Sequence, residues 1–238
     1  MKIGLIGFGK MGKAIQEIAQ QRGHQICWTI DSSNQHLLNL ETLKQANVAI
    51  EFTNPHSALQ NVCKCLEAGV PVVCGSTGWT SSLATAEALC KEKNGSFIYA
   101  SNFSVGVNLF FELNKKLASL MANQTNYEVI LEEIHHTQKK DAPSGTAISL
   151  AEQILEILDR KKQWVNDISD NPEDLEIISQ RIDPTPGTHS IKYSSVIDDI
   201  EIIHTAHNRT GFATGAVKAA EYIADKKGIF TMKDVLGL

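Results

Sequence analysis

The reactive side chains of this chain are concentrated in one stretch, Glu132-Glu133-Ile134-His135-His136-Thr137-Gln138-Lys139-Lys140-Asp141-Ala142-Pro143-Ser144-Gly145-Thr146-Ala147. It joins a strand-like run, Tyr127 to Leu131, to a helical pattern, Ala147 to Leu158. Ser144 or Thr146 can cap that helix, which turns its first backbone N–H groups and the positive end of its dipole outward. A helix end of this kind is an anion site. Beside it stand Lys139 and the imidazoles of His135 and His136, which add positive charge and a source of protons. Taken singly, His-His is ordinary decoration, Lys139-Lys140 a solvated turn and Ser-Gly-Thr a plain cap. Clustered at a strand-to-helix junction, where sites in α/β proteins lie, they read as a pocket for a carboxylate-bearing substrate with a proton donor at hand. His135-His136 has no partner cluster at ligand spacing, so no metal is expected.

A second chemical motif opens the chain. The apolar run Lys2 to Ile6 leads into Gly7-Phe8-Gly9-Lys10-Met11-Gly12 and then an amphipathic helix from about Lys13 to Arg22. G-x-G-x-x-G between a strand and a helix is the dinucleotide-binding pattern. Gly7 permits the tight turn, Gly9 lets backbone approach a pyrophosphate, and Gly12 allows close helix–strand packing. A second strand, Gln25 to Ile30, ends at Asp31, 19 residues after Gly12, where a carboxylate can accept hydrogen bonds from the ribose hydroxyls of NAD. Lys10 is the cation nearest to hand for the 2′-phosphate of NADP. The expected cofactor is NADH, with NADPH also accepted.

Between Val48 and Ala100, strands at Val48–Phe52, Val70–Cys74 and Ser96–Ala100 alternate with helices at Ser57–Ala68 and about Ser81–Lys93. That alternation predicts a parallel βαβ sheet of Rossmann type. Ligands bind at the carboxyl edge of such sheets, so Thr53-Asn54, Gly75-Ser76-Thr77 and Ser101-Asn102-Phe103 join the glycine loop as candidate cofactor contacts. Beyond Ala100 the pattern changes. Leu109, Phe110, Leu113, Leu117 and Leu120 predict an apolar helix face within Val105–Met121. Three strand candidates follow a polar loop at Lys161–Asp174: Leu175–Arg181, Thr188–Val196 and Ile200–Thr205. With the Tyr127 strand they make a second, mixed sheet in an α+β domain, one face covered by two helices and the other open to a second subunit.

Residues 133 to 147, E-I-H-H-T-Q-K-K-D-A-P-S-G-T-A, resemble the signature of the dihydrodipicolinate reductase family, in the spaced form H-x-x-x-K-x-D-x-P-S-G-T-A. The resemblance runs from the glycine loop through Gly75-Ser76-Thr77-Gly78 and Asn102 to Asn108, as far as Arg209-Thr210-Gly211-Phe212 and Gly215-Ala216-Val217. It implies NAD(P)H-dependent reduction of a cyclic dicarboxylate, 4-hydroxy-tetrahydrodipicolinate, on the lysine and diaminopimelate pathway. It further implies acid roles for His135 and Lys139, with Lys139 the proton donor. His136, Ser144, Gly145 and Thr146 would contact substrate, and Asp141 would order the loop. A homotetramer formed through the second sheet is implied as well. The nucleotide domain would span residues 1–103, completed by 209–238, and the substrate and oligomerisation domain 104–208. The chain departs from the family in having few residues between Asp31 and Val48, and in carrying Pro186-Gly187-Thr188-His189 where relatives show a V-G-E-H-type turn. The rivals are another Rossmann-type oxidoreductase acting on a small carboxylate, an amino acid or a sugar, and a non-enzymatic NAD(H) sensor. The Lys plus Ser-Gly-Thr pocket suits a diacid better than an amine or a polyol, and a sensor needs no acid–base cluster.

Composition is that of an ordinary soluble globular protein. The chain has 238 residues, 42% apolar and 21% charged, room for one large domain or two smaller ones. Its formal charge of −5, from 22 basic and 27 acidic residues, argues against a nucleic-acid partner. No apolar run approaches the roughly 20 residues of a membrane span. Met1-Lys2 runs directly into the first strand, leaving no room for a signal-peptide core, and the five cysteines form no C-x-x-C pair. A cytoplasmic location with reduced thiols is the expectation.

Overall fold

The computed structural model describes residues 1–208 and 210–238; Arg209, which the sequence reading includes in the segment opening the last helix, lies outside the described residues. The chain divides into two compact units. The first comprises Met1–Val105 and the C-terminal stretch ending at Leu238, the second Gly106–Asn208.

The first unit is built on β1 (Lys2–Ile6), β2 (Gln25–Ile30), β3 (Val48–Glu51), β4 (Val72–Cys74), β5 (Ser96–Tyr99) and β11 (Gly228–Phe230). These form a six-stranded sheet in the order β11-β5-β4-β3-β1-β2, and every neighbouring pair is parallel. Strands this short and this apolar are sandwiched on both faces. One face packs under α3 (Pro55–Glu67) and α4 (Leu83–Glu92), with Ile6, Trp28, Ala58, Val62 and Phe97 in a common core. The other packs under α1 (Lys10–Gln21) and α7 (Thr210–Ile223), around Ile3, Leu5, Ile15, Ala216 and Ala220. A short α2 (Leu40–Leu43) precedes β3, and α8 (Met232–Leu236) closes the chain behind a capping box in which Thr231 and Asp234 bond reciprocally. The strand order reverses between β1 and β3, so their carboxyl ends flank the crevice where such sheets bind ligands. β11 was not legible in the sequence, since three residues carry too little pattern. It pairs with β5 and extends the sheet by one strand.

The second unit holds a five-stranded mixed sheet, β10-β9-β6-β8-β7. Its strands are β6 (Glu128–His135), β7 (Gln163–Val165), β8 (Asp174–Arg181), β9 (Gly187–Ser194) and β10 (Asp199–Ala206). β6 runs parallel to β8 and antiparallel to β9. One face is covered by α5 (Val105–Met121) and α6 (Gly145–Leu155), with Leu131, Leu150, Ile177, Ile191 and Tyr193 at the centre. Three sequence expectations change here. The strand expected to stop at Leu131 continues to His135, and β7 interrupts the loop expected at 161–174. On α5, Phe110 and Leu117 are buried, but Leu109, Leu113 and Leu120 are 48%, 51% and 59% exposed, because the helix turns these three away from the sheet. Among the described residues no helix is long and apolar enough to cross a membrane.

Candidate active site

In the first unit the glycine loop has the shape its motif predicts. Gly7 sits at φ +95°, and a Cβ there would lie 2.0 Å from the Phe52 carbonyl oxygen. A Cβ on Gly12 would lie 2.2 Å from the Gly7 oxygen, so both glycines are sterically required. Gly9 is the opposite case: nothing lies within 4 Å of the Cβ position, and as the N-cap of α1 it contributes no side-chain hydrogen bond. The first turn of α1 thus meets open space, as a pyrophosphate needs. The Gly7 N–H bonds to the Ile30 oxygen at 2.7 Å, which ties the loop to the end of β2. Asp31 follows directly. Its Oδ1 accepts from the Ser33 N–H at 2.8 Å and the Ser33 hydroxyl at 2.6 Å, bonds that hold the carboxyl below its ordinary range. Lys10, the first residue of α1, is exposed. Phe8 and Met11 are half-buried and pack against the core beneath α1.

The remaining loops at the sheet edge are set by buried contacts. Glu51, fully buried at the end of β3, accepts from Thr53 Oγ1, from Asn61 Nδ2 at 3.2 Å and from Cys74 Sγ at 3.0 Å. Ser76 is turned inward: its Oγ accepts from the Thr53 N–H at 2.7 Å and its carbonyl from Trp79 Nε1 at 2.8 Å. Phe103 is 2% exposed and stacks tilted on Phe52, with centroids 5.7 Å apart. The side chains of Ser76 and Phe103 therefore shape the loops from beneath. Gly75, Thr77, Ser101 and Asn102 stay at the edge, and Asn102 Oδ1 accepts from the Ser104 N–H at 2.8 Å.

In the second unit, strand alternation decides which histidine faces inward. Along β6, Val129, Leu131, Glu133 and His135 are buried and their neighbours are not. His135 is 8% exposed, while His136, the residue just beyond the strand, is half-buried. Ser144, not Thr146, is the N-cap of α6: its Oγ accepts from the Ala147 N–H at 3.2 Å. Nothing lies within 4 Å of the Cβ position at Gly145, so the first turn of α6 has an open side.

Behind these elements lies a polar cluster that sequence reading missed. Glu133 is fully buried and accepts from the Ser144 N–H at 3.1 and 3.2 Å, from Ser179 Oγ at 2.8 Å and from Arg181 Nη2 at 3.3 Å. Register supplies these partners: Glu133 lies opposite Ser179 on β8 and His189 on β9, and His135 lies opposite Arg181. Burial pushes the Glu133 carboxyl up, but the nearby His189 imidazole and bonds from Ser144 and Ser179 overcome that and hold it far below the usual range. Burial lowers His135 to about 4; Glu133 opposes the shift, while His189, Lys139 and Arg181 reinforce it. The only signal in the sequence was the spacing Glu133-x-His135, which places both on one strand face. One ligand atom each from Glu133, His135 and His189 falls within 4.8 Å of the others. The Arg181 guanidinium already supplies the counter-charge there, and it would repel a divalent ion.

The loop 136–141 is tethered by β8 and the residues just beyond it. Asp183 accepts from the Thr137 N–H at 3.1 Å and from its hydroxyl at 2.6 Å, and Arg181 Nη2 donates to the Asp141 carbonyl at 2.5 Å. Lys139 Nζ donates to both carboxylate oxygens of Asp141 at 2.8 Å.

A doubly wound parallel sheet with an open glycine cradle, followed by a unit carrying a lysine, a buried imidazole and a capped helix N-terminus, defines a Rossmann-type nicotinamide-dependent oxidoreductase. Comparison with known proteins narrows the class. The family descriptions "Dihydrodipicolinate reductase, N-terminus" and "Dihydrodipicolinate reductase, C-terminus" match residues 1–103 and 106–236. The chain belongs to the dihydrodipicolinate reductase family and is an NAD(P)H-dependent oxidoreductase. A 4-hydroxy-tetrahydrodipicolinate reductase of Christiangramia forsetii is 51% identical, with 99% of this chain and 98% of that protein covered. The corresponding reductase of Acinetobacter baumannii is 32% identical, with 100% and 96% covered. Among solved structures, a dipicolinate-bound dihydrodipicolinate reductase from Paenisporosarcina sp. TG-14 shares the fold at TM-score 0.78 and 24% identity, with 98% of each chain covered. A myo-inositol dehydrogenase of Sinorhizobium meliloti shares it at TM-score 0.60 and 10% identity, covering 99% of this chain and 93% of that one.

Proposed function

We propose that the chain reduces 4-hydroxy-tetrahydrodipicolinate to tetrahydrodipicolinate in lysine and diaminopimelate biosynthesis, with the chemistry centred on loop 135–146. The observation that carries this reading is the gathering, on one loop of the second unit, of a buried neutral imidazole, a lysine ammonium and a capped helix N-terminus. The first turn of α6, Gly145 and Thr146, receives one carboxylate of the substrate. Lys139 acts as a point charge toward carboxylate and as the proton donor. His135, neutral well above pH 4, serves as a hydrogen-bond partner and not as an imidazolium acid. His136, which follows the strand, contacts substrate, and Asp141 holds Lys139 in place until substrate competes for it.

The reduced nicotinamide supplies the hydride. Gly7, Gly9 and Gly12 with the first turn of α1 hold its pyrophosphate, and Asp31 reads the ribose. Asp31 favours NADH, while Lys10 allows NADPH. The enzyme works in the cytoplasm as a homotetramer built on the second sheet, whose outer side carries Ile203 at 59% exposure.

The decisive assay supplies NADH with the condensation product of pyruvate and aspartate semialdehyde. Oxidation of NADH that depends on that compound is expected; oxidation driven equally by an amino acid or a polyol would favour the rival dehydrogenases.

A further inference from the structure

We propose that Glu133 is the positioning residue of the site: it holds His135 as the Nδ1–H tautomer, so that the ring presents Nε2 outward as a hydrogen-bond acceptor. The proposal rests on the reading that His135 and the α6 N-terminus face the substrate. It begins from how the carboxylate is used. Ser179 and Arg181 both donate to Oε1, and the Ser144 N–H is shared between the two oxygens. Oε2 is thereby left to the two imidazoles, with His135 Nδ1 at 3.4 Å and His189 Nε2 at 3.7 Å. His135 Nδ1 is buried and makes no hydrogen bond in this arrangement. A movement of a few tenths of an ångström closes the pair, as such contacts tighten when substrate binds. His189 has a competing partner, since its Nε2 lies 3.2 Å from Ser144 Oγ.

The surroundings disfavour a second proton on the ring. His135 meets the His189 ring edge-to-face at 5.1 Å, and Lys139 and Arg181 add positive potential. A neutral imidazole carries one N–H, and the nitrogen that bears it is set by the bond the ring makes. A carboxylate beside Nδ1 makes that choice. On the other edge of the ring, Gly187 supplies room: a Cβ there would lie 3.1 Å from Nε2. The same carboxylate anchors Ser144, so one buried group sets the ring's tautomer and the place of the α6 first turn together. The proton delivered during reduction then comes from Lys139, and Nε2 accepts a hydrogen bond from the substrate or from the lysine.

The test is nitrogen NMR of the full-length protein labelled in histidine, with the His135 signals identified by their loss in His135→Gln. At pH 7 the wild type should show Nδ1 protonated and Nε2 bare. In Glu133→Gln the side-chain oxygen stays with Ser144 and Ser179 and the NH₂ faces the imidazoles, so the proton should move to Nε2. Turnover should then fall roughly 10- to 100-fold, the range for loss of a group that orients a functional histidine. A wild-type ring that is Nε2–H or doubly protonated overturns the proposal, whether or not Glu133→Gln folds. A Glu133→Gln protein that unfolds cooperatively as the wild type does, yet keeps the Nδ1–H form, also overturns it. Unchanged turnover in His135→Gln would instead remove the reading on which the proposal rests.

Discussion

Both carboxylate oxygens of Asp141 accept hydrogen bonds from Lys139 Nζ, each at 2.8 Å. Lys139 is thus held two residues from its partner by a loop that Arg181 and Asp183 tether to β8, and its ammonium is already placed when a dianion arrives. If Lys139 delivers the proton, Lys139→Ala should lower kcat roughly 10²- to 10⁴-fold, the usual worth of a general acid. Dissociation constants for NADH should stay near wild type, because the dinucleotide contacts lie in the first unit. Steady-state kinetics paired with cofactor titration checks this, and full turnover in the variant would refute the assignment.

The proposed reader of the ribose is Asp31, whose Oδ1 is held by Ser33. Asp31→Ala should weaken NADH more than NADPH, and Lys10→Ala should weaken NADPH more than NADH, each by about 1–3 kcal/mol. Added salt should erode the Lys10 effect, since that side chain is exposed. Dissociation constants for both cofactors in both variants decide the point. Equal weakening of the two by Asp31→Ala would mean that this carboxylate does not read the ribose.

Gly187 offers a steric test of His135. An added Cβ would lie 3.1 Å from Nε2 and 3.3 Å from Cδ2, closer than the ring tolerates without shifting. Gly187→Ala should lower kcat by roughly tenfold and cost about 1 kcal/mol of stability. Affinity for NADH should not change. An unaltered kcat would show that the ring's position does not matter to turnover.

Acidification should destabilise the fold in two steps. His135 titrates near 4 when folded and near 6.5 in its ordinary state, so between those values the unfolded chain binds the extra proton and stability falls as pH falls. The full effect is on the order of 3 kcal/mol. Glu133 has the depressed carboxyl, so its contribution is present above its ordinary value of 4.5 and is lost at lower pH, as the folded carboxyl takes up its proton. Urea unfolding at pH 7, 5.5 and 4.5 should show the first loss in the wild type and a flatter profile in His135→Gln.

Self-association is expected from the apolar residues left on the surface. Ile203 on β10 and Leu109, Leu113 and Leu120 on α5 are 59%, 48%, 51% and 59% exposed. Light scattering at micromolar concentration should report a species of four chains, and a 26.1 kDa monomer alone would refute it.

The sequence by itself determined what depends on near neighbours in the chain. G-x-G-x-x-G, a strand ending at Asp31 and the run Pro143-Ser144-Gly145-Thr146 announce a turn, a carboxylate and a helix cap. Their geometry is set by a handful of consecutive dihedrals and by periods of 3.6 and 2. Glu133 and His135 share a face for the same reason. The tertiary structure decided what these residues meet. Ser179, Arg181 and His189 reach Glu133 because β8 and β9 pair with β6 in one register; a slip of one residue would turn them to the far face. No local rule orients Ser76 and Phe103 inward or Leu109 and Leu113 outward, since those directions follow from which neighbouring element takes the space. β7 and β11, three residues each, exist because a strand edge was there to bond them, and pairing of that kind is not written in three residues.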